Sequence, residues 1–281
     1  MEQTCAHALA VTAARARLLA MDMVYTAASG HIGGSLSVMD LLTTLYFHTM
    51  RVDPKDPKDP DRDRLVLSKG HCTPALYAVL ALKGYFPVED CKLFRSIKDH
   101  YSGHPDMKHV PGVDMSTGSL GQGISAAVGM ALAGKMDDRN YRVYAILGDG
   151  EIEEGQVWEA AMSAAKYHLD HLCAIVDVNG LQIDGSTADV MPSEPLDKKF
   201  DAFNWNVLHV DGHDYAAIAA ALEQAAACKD KPTVILARTI KGKGVSYMEN
   251  NAGWHGKAPN DEQYEIAKAE LERALAELEA N

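Results

Sequence analysis

The sequence predicts an α/β fold: a parallel sheet with helices on both faces. Short apolar runs at 64–67, 142–147, 172–178, 205–210 and 232–238 alternate with segments of helical spacing, as expected of parallel strands covered on both sides. Two of those runs end in polar residues, one in Gly148-Asp149-Gly150 and the other in Asn179-Gly180. Strands of an open parallel sheet deliver such residues to the edge where ligands bind. No Gly/Ser-rich or Pro-rich linker divides the chain. Residues 1–281 therefore read as one domain with helical extensions at both ends.

Taken in order, 4–28 is an Ala- and Leu-rich helix broken at Ser29-Gly30. Residues 37–50 form a second helix with Leu41, Leu42, Leu45 and Tyr46 on one face. Residues 53–63 (DPKDPKDPDRD) are a charged, proline-punctuated loop whose repeated DPK is too short for a repeat architecture. The strand at 64–67 leads into Ser68-Lys69-Gly70-His71. Helices follow at 74–83 and 121–135, the second so crowded with Gly and Ala that it must pack very closely. A helix from Glu151 to Tyr167 carries Val157, Trp158, Ala161, Met162 and Ala165 at helical spacing. Another runs from Asp214 to Cys228, with His213 in the turn that starts it. The segment from Asn260 opens with a capping box (Asn260, Gln263) and carries an apolar stripe through Ala267, Leu271, Ala274, Leu275 and Leu278.

At 281 residues the chain can bury a sizeable core. Its net charge of −12, with no Lys/Arg cluster, excludes a nucleic-acid face and an anionic membrane surface as partners. No apolar run approaches the ~18 residues of a membrane span. Charges at Glu2, Arg15, Arg17 and Asp22 rule out a signal-peptide layout. Five cysteines without a C-x-x-C fit reduced thiols in the cytoplasm.

The polar residues then point to a site. One carboxylate, one carboxamide oxygen and a backbone carbonyl beyond the two central strands form a hard-oxygen set suited to Mg²⁺ or Ca²⁺ holding a phosphate. Gly150 lets the backbone approach an anion, with helix N–H groups behind it. Glu151, Glu153 and Glu154 in the first turn of that helix suit its dipole. Four turns place an imidazole beside a glycine: Ser29-Gly30-His31, Gly70-His71, Gly103-His104 and His255-Gly256. Their spacing matches no zinc pattern, whereas imidazoles that donate to phosphate, carbonyl and hydroxyl oxygens suit a polyhydroxylated substrate. Gly121-Gln122-Gly123 fits a dinucleotide loop only superficially, because no buried strand precedes it.

Together these segments resemble the N-terminal half of transketolase: SGHIGGSLS (29–37), DRLVLSKGH (63–71), SGHPD (102–106), GVDMSTGSLGQGIS (112–125), GDGEIEEGQVWEA (148–160), VDVNGLQIDG (176–185) and KGKGV…HG (241–256). They occur in family order through about nine-tenths of the chain. The resemblance implies the diphosphate-binding (PP) fold of a thiamin diphosphate enzyme. It also implies transfer of a two-carbon ketol unit between sugar phosphates, a ketose donor and an aldose acceptor. By position it implies Asp149, Asn179 and the Leu181 carbonyl as divalent-metal ligands. His71, Gly150 and His255 would contact the diphosphate, and Gly118 and the Leu120 backbone the aminopyrimidine. His31, His71, His104 and His255 would surround the substrate's C1 and C2 oxygens. Glu154 and Glu159 match the acidic pair of a carboxylate network across the subunit interface, counted with the catalytic set.

Ile32, Ser119 and Cys72 depart from common family residues beside functional positions, which bears on donor preference more than on cofactor binding. The resemblance contains no pyrimidine-binding (Pyr) domain, whose glutamate serves the aminopyrimidine N1′. The expectation is one subunit of a split transketolase, paired with a Pyr-domain chain as α₂β₂. Gly121–Gly134 and the Trp158 helix are the surfaces expected at that interface. Competing readings are the α subunit of a 2-oxo acid dehydrogenase E1, a deoxyxylulose phosphate synthase relative, and a non-catalytic cofactor-binding homologue.

Overall fold

The computed structural model describes residues 1–97 and 99–280. Its elements in chain order are α1 (Gln3–Thr26), α2 (Ile32–Thr44), β1 (Arg64–Leu67), α3 (Thr73–Lys83), α4 (Gln122–Met136), β2 (Val143–Gly148), α5 (Gly155–Lys166) and β3 (Leu172–Val178). There follow a small hairpin of β4 (Leu181–Gln182) and β5 (Gly185–Ser186), then α6 (Thr187–Val190), α7 (Leu196–Ala202), β6 (Asn206–Asp211), α8 (Tyr215–Ala227), β7 (Thr233–Arg238) and α9 (Asp261–Glu279).

Five strands pair in parallel in the order β1-β2-β3-β7-β6. The period-2 alternation of strand side chains sorts them between two cores. Tyr144, Ile146, Cys173, Ile175, Ile235 and Ala237 pack on one face with α1, α2, α3, α8 and α9. Val143, Ala145, Leu147, Ala174, Val176, Val234 and Leu236 pack on the other with α4, α5 and α7. Burial on both faces is why these strands read as continuous apolar runs. The α/β class expected from the sequence is the class observed, and the capping box of α9 forms as expected: Asn260 Oδ1 accepts from Gln263 N at 2.9 Å.

Two helix boundaries differ from the sequence reading. The second helix begins at Ile32, directly after His31, and ends at Thr44, with a π turn over Leu45–Thr49. Gly33 and Gly34 are helical despite their low propensity because the packing leaves no room for a side chain. A Cβ on Gly33 would lie 2.7 Å from the Trp254 carbonyl oxygen, and one on Gly34 2.9 Å from Cys72 Sγ. Beyond Gly150 the chain makes a 3₁₀ turn over Glu151–Glu153, and α5 starts only at Gly155, with Glu154 at its N-cap. The first-turn dipole role expected for Glu151 and Glu153 is therefore corrected.

The Gly/Ala-rich α4 does pack closely. A Cβ on Gly123 would strike Ser68 at 2.5 Å and one on Gly134 would meet Tyr141 at 2.8 Å, whereas Gly129 faces open space. Trp158 turns inward, stacking near Phe200 and Phe203 while its Nε1 donates to the Ile152 carbonyl at 3.1 Å. It is Glu159 and Met162 that α5 presents outward. Among the described residues no helix is long and apolar enough to cross a membrane.

One buried ionic hub joins helices on the first face. Asp40 of α2 accepts from Arg17 Nη1 at 3.0 Å and Nη2 at 2.6 Å, and from the Tyr215 hydroxyl at 2.5 Å. Burial alone would raise the Asp40 carboxyl, but the Arg17 charge and the bonds from His213, Arg17 and Tyr215 hold it well below the usual carboxylate range. Asp40→Ala strands the Arg17 guanidinium in the core and is expected to cost about 3–5 kcal/mol. Urea unfolding of variant and parent checks this, and a loss below about 1 kcal/mol would contradict it.

Candidate active site

The C-terminal ends of β1, β2, β3 and β7 converge on a cavity of about 100 Å³. Gly148 of β2 stands opposite Asp177 of β3, so Asp149 lies beside the end of β3. Its carboxylate is buried, accepting from Gly150 N–H at 3.0 Å and Gly180 N–H at 2.6 Å. Asn179 Oδ1 accepts from Leu181 N at 3.1 Å while its Nδ2 donates to Asp177 at 3.2 Å. That pair of bonds fixes which way the carboxamide points. Asp149, Asn179 and Leu181 all line the cavity, with Gly150, Leu120, His71 and His255 around it.

The four predicted imidazoles come together from loops far apart in sequence. His31 has its ring centre 5.4 Å from His71, 6.1 Å from His104 and 5.5 Å from His255, and His71 and His255 are 4.8 Å apart. Gly118, with φ +146°, brings its backbone against the His104 ring, where a Cβ would be 3.0 Å from Cδ2. Among the described residues no group of three or more His, Cys, Asp or Glu side chains is arranged to hold a metal ion. Glu154 and Glu159 are exposed, Glu154 packing against Gly121 at the start of α4.

Three charged residues that the sequence reading left unassigned (Lys69, Asp177 and Lys241) shape this edge together with Glu151, which was expected at a helix start. Lys69 and Asp177 form a fully buried ion pair, and Asp177 also accepts from Ser37 Oγ at 2.6 Å and from the Thr239 hydroxyl. Lys241, 2% exposed, points its Nζ at the Leu181 carbonyl (3.3 Å) and at His255 Nδ1 (3.0 Å). Buried Glu151 accepts from Gly121 N–H at 2.9 Å, Gly148 N–H at 3.0 Å and Ser68 Oγ, tying the α4 turn to β1 and β2. The lysines stand in plain view in the KGH and KGKG motifs, but the imidazoles beside them carry the stronger sequence signal.

Burial and neighbouring cations keep the imidazoles neutral. His31 is lowered to about 4, by burial first and then by Arg95, and His255 to about 3, by burial and then Lys241. Burial with Lys69 takes His71 well below its ordinary value, and burial with Arg95 lowers His104. Burial and the Asp177 charge raise Asp149 to about 6. Neutral imidazoles each offer one donor and one acceptor, the equipment for handling hydroxyl and carbonyl oxygens.

The comparisons with known proteins agree on one class. The thiamine diphosphate binding domain of transketolase matches residues 8–274. A 6-deoxy-6-sulfo-D-fructose transketolase subunit from Clostridium sp. (strain MSTE9) is 50% identical over 257 residues, 92% of this chain and 94% of that one. From Phocaeicola vulgatus, a subunit of apulose-4-phosphate transketolase is 45% identical, covering 92% of each. Transketolase of Campylobacter jejuni superposes with a TM-score of 0.89 at 33% identity, over 99% of this chain but 46% of that one. The chain thus spans under half the length of that solved transketolase and nearly the whole of the two named subunits. The protein belongs to the transketolase family and carries its thiamin diphosphate-binding domain.

The imidazoles also set an acid limit on the fold. Between pH 6.5 and about 4 the unfolded chain takes up protons that folded His31 and His255 refuse. Their share of stability is therefore complete above pH 6.5 and falls as pH drops towards 4. A His31→Asn/His255→Asn double variant should show a shallower loss of stability across that window. An unchanged slope in urea unfolding at several pH values would contradict the assignment.

Proposed function

We propose that this chain is the diphosphate-binding subunit of a split transketolase. It would move a two-carbon ketol unit from a ketose donor to an aldose acceptor, both with anionic ends. The observation that carries this reading is the juxtaposition of four neutral imidazoles with the Asp149, Asn179 and Leu181 oxygens at one sheet edge. Two relatives that match over nearly their whole length are named as transketolase subunits, one for a sulfonated ketose and one for a ketose phosphate. Residues 1–281 are read as a single diphosphate-binding domain.

The donor set fits thiamin diphosphate held through Mg²⁺ or Ca²⁺. Asp149 is a buried carboxylate pushed up by burial and by Asp177, so a divalent cation would offset a charge that the protein leaves largely unbalanced. The Asn179 carboxamide oxygen and the Leu181 carbonyl are hard donors of the kind both cations take. Gly150 leaves room for diphosphate oxygens, and the buried Lys241 ammonium and the His71 and His255 imidazoles border the same cavity. Gly118 and the Leu120 backbone, next to the Gly121 N–H that Glu151 holds, would meet the aminopyrimidine.

Thiamin diphosphate supplies the carbon nucleophile and electron sink for breaking the donor's C2–C3 bond. His31, His71, His104 and His255 orient the C1 and C2 oxygens of the sugar. Being neutral, His31, His71 and His104 can each accept a hydroxyl proton at one nitrogen or donate to a developing alkoxide from the other, whereas His255, its Nδ1 taken by the Lys241 ammonium, can only donate from Nε2. Glu154 and Glu159, both exposed, are read as carboxylates awaiting a partner across an interface. That partner would be a Pyr-domain chain in an α₂β₂ assembly, the remaining exposed face of α4 meeting it. Unpaired cysteines at all five positions suit the cytoplasm.

Asp149→Ala removes the single formal charge of the proposed metal shell, and Mg²⁺-dependent binding of thiamin diphosphate should be lost. Calorimetry showing parental affinity would remove Asp149 from the shell. The purified chain, saturated with thiamin diphosphate and Mg²⁺, should show no ketol transfer until the Pyr-domain chain is added. Robust transfer by the chain alone would overturn the split-subunit reading.

A further inference from the structure

Behind the cavity, the segment that carries Lys241 leaves β7 and has to be held from outside the sheet. Thr239 N–H still bonds the Val178 carbonyl at 3.1 Å, and Gly242 N–H bonds the Gly33 carbonyl at 2.9 Å. Between them, Ile240 N–H finds no backbone acceptor and donates instead to His213 Nε2 at 2.9 Å. The loop bearing His213 is built against this segment. Gly212 N–H bonds the Arg238 carbonyl at 2.7 Å, and a Cβ on Gly212 would lie 2.5 Å from Thr239 Cγ2.

The other imidazole nitrogen determines the chemistry of that bond. His213 Nδ1 lies 2.7 Å from Asp40 Oδ2, within the hub that Arg17 and Tyr215 complete. An ionised carboxylate only accepts, so Nδ1 carries the hydrogen and Nε2 presents a lone pair to Ile240 N–H. The ring is fixed as one tautomer by its two partners, as a second-layer ligand fixes a metal-bound histidine. On the far side of Ile240, Lys241 Nζ reaches the Leu181 carbonyl and His255 Nδ1.

We propose that His213 is a positioning residue for the diphosphate end of the site: it links the Asp40 hub to Ile240 N–H and so holds Lys241 in the cavity. The inference rests on the reading of that cavity as the diphosphate cradle. A lone histidine in a helix-starting turn has no such role by itself; the link to Ile240 creates it.

Two amide replacements separate the two ends of the link. The amide of His213→Asn reaches the place of Nδ1, keeping a donor for Asp40 while losing the acceptor for Ile240. The amide of His213→Gln reaches the place of Nε2 and keeps a carbonyl oxygen for Ile240. Thiamin diphosphate binding to the full chain in Mg²⁺ is read by calorimetry, and exchange of the Ile240 amide hydrogen is followed separately. Expected are an affinity about tenfold weaker with faster Ile240 exchange in His213→Asn, and an affinity within about twofold of the parent with slow exchange in His213→Gln. Equal losses in both variants, tracking their thermal stability, would make His213 merely structural and overturn the proposal. So would parental affinity in His213→Asn. Lys241→Met serves as the control: unchanged affinity there would mean that the cradle reading itself had failed. A loss in Lys241→Met with none in His213→Asn would defeat only the link.

Discussion

The buried carboxylate of Asp177 is the constraint on which the rest of this edge depends. It is fully enclosed, and an anion so placed needs a donor on every side. The donors come from four parts of the chain: Ser37 on α2, Lys69 after β1, Asn179 after β3 and Thr239 after β7. Satisfying one charge therefore fixes the relative positions of a helix and three strand ends. Two consequences reach the cavity. Asn179 is oriented with its amide nitrogen inward, and the uncompensated part of the field falls on Asp149, which it raises. Burial, and then Lys69 drawn to Asp177, keep His71 from taking a proton.

Positive charge and neutral imidazole are thus sorted by depth. Lys69 lies deepest and is neutralised by its partner, with Lys241 above it, close to oxygen and nitrogen acceptors. The four rings cluster beside them, kept uncharged by burial first and then by nearby cations: Arg95 for His31 and His104, Lys69 for His71 and Lys241 for His255. Such a field is in place before any ligand arrives, so little reorganisation accompanies binding. Gly34 in the first turn of α2 and Gly70 of the KGH turn serve the same economy of space, standing where a Cβ would strike Cys72 or Thr117.

Much of this was legible in the sequence because the signals were local. A strand buried on both faces is a continuous apolar run, and the residues ending two such runs, Asp149 and Asn179, stood out by contrast. The four imidazoles stood out because each adjoins a glycine in a loop. Illegible were features defined by what lies opposite. Glu151 looked like an ordinary acidic residue at a helix start, yet its carboxylate knits α4 to the sheet. Gly33 and Gly34 argued against a helix, yet they lie in one as the residues small enough to pass Trp254 and Cys72. Asp177, one residue before the end of β3, carries its meaning in what lies around it, and Lys241 and His213 gain meaning only from neighbours distant in the chain.

The order of strands gives this arrangement a direction in time. β7 is the last strand made, yet it lies inside the sheet, between β3 and the edge strand β6. Until it arrives, β6 has no partner and the sheet ends at β3. As the chain leaves the ribosome, β1, β2 and β3 with their helices have the means to assemble early, whereas β6 must wait. The last strand, β7, then pairs with both neighbours at once. That same strand leads directly to Thr239, Lys241 and His255. Completing the sheet and closing the cavity are therefore one event, and a nascent chain lacking its last strand holds Asp149 and three of the imidazoles on an edge that nothing yet closes.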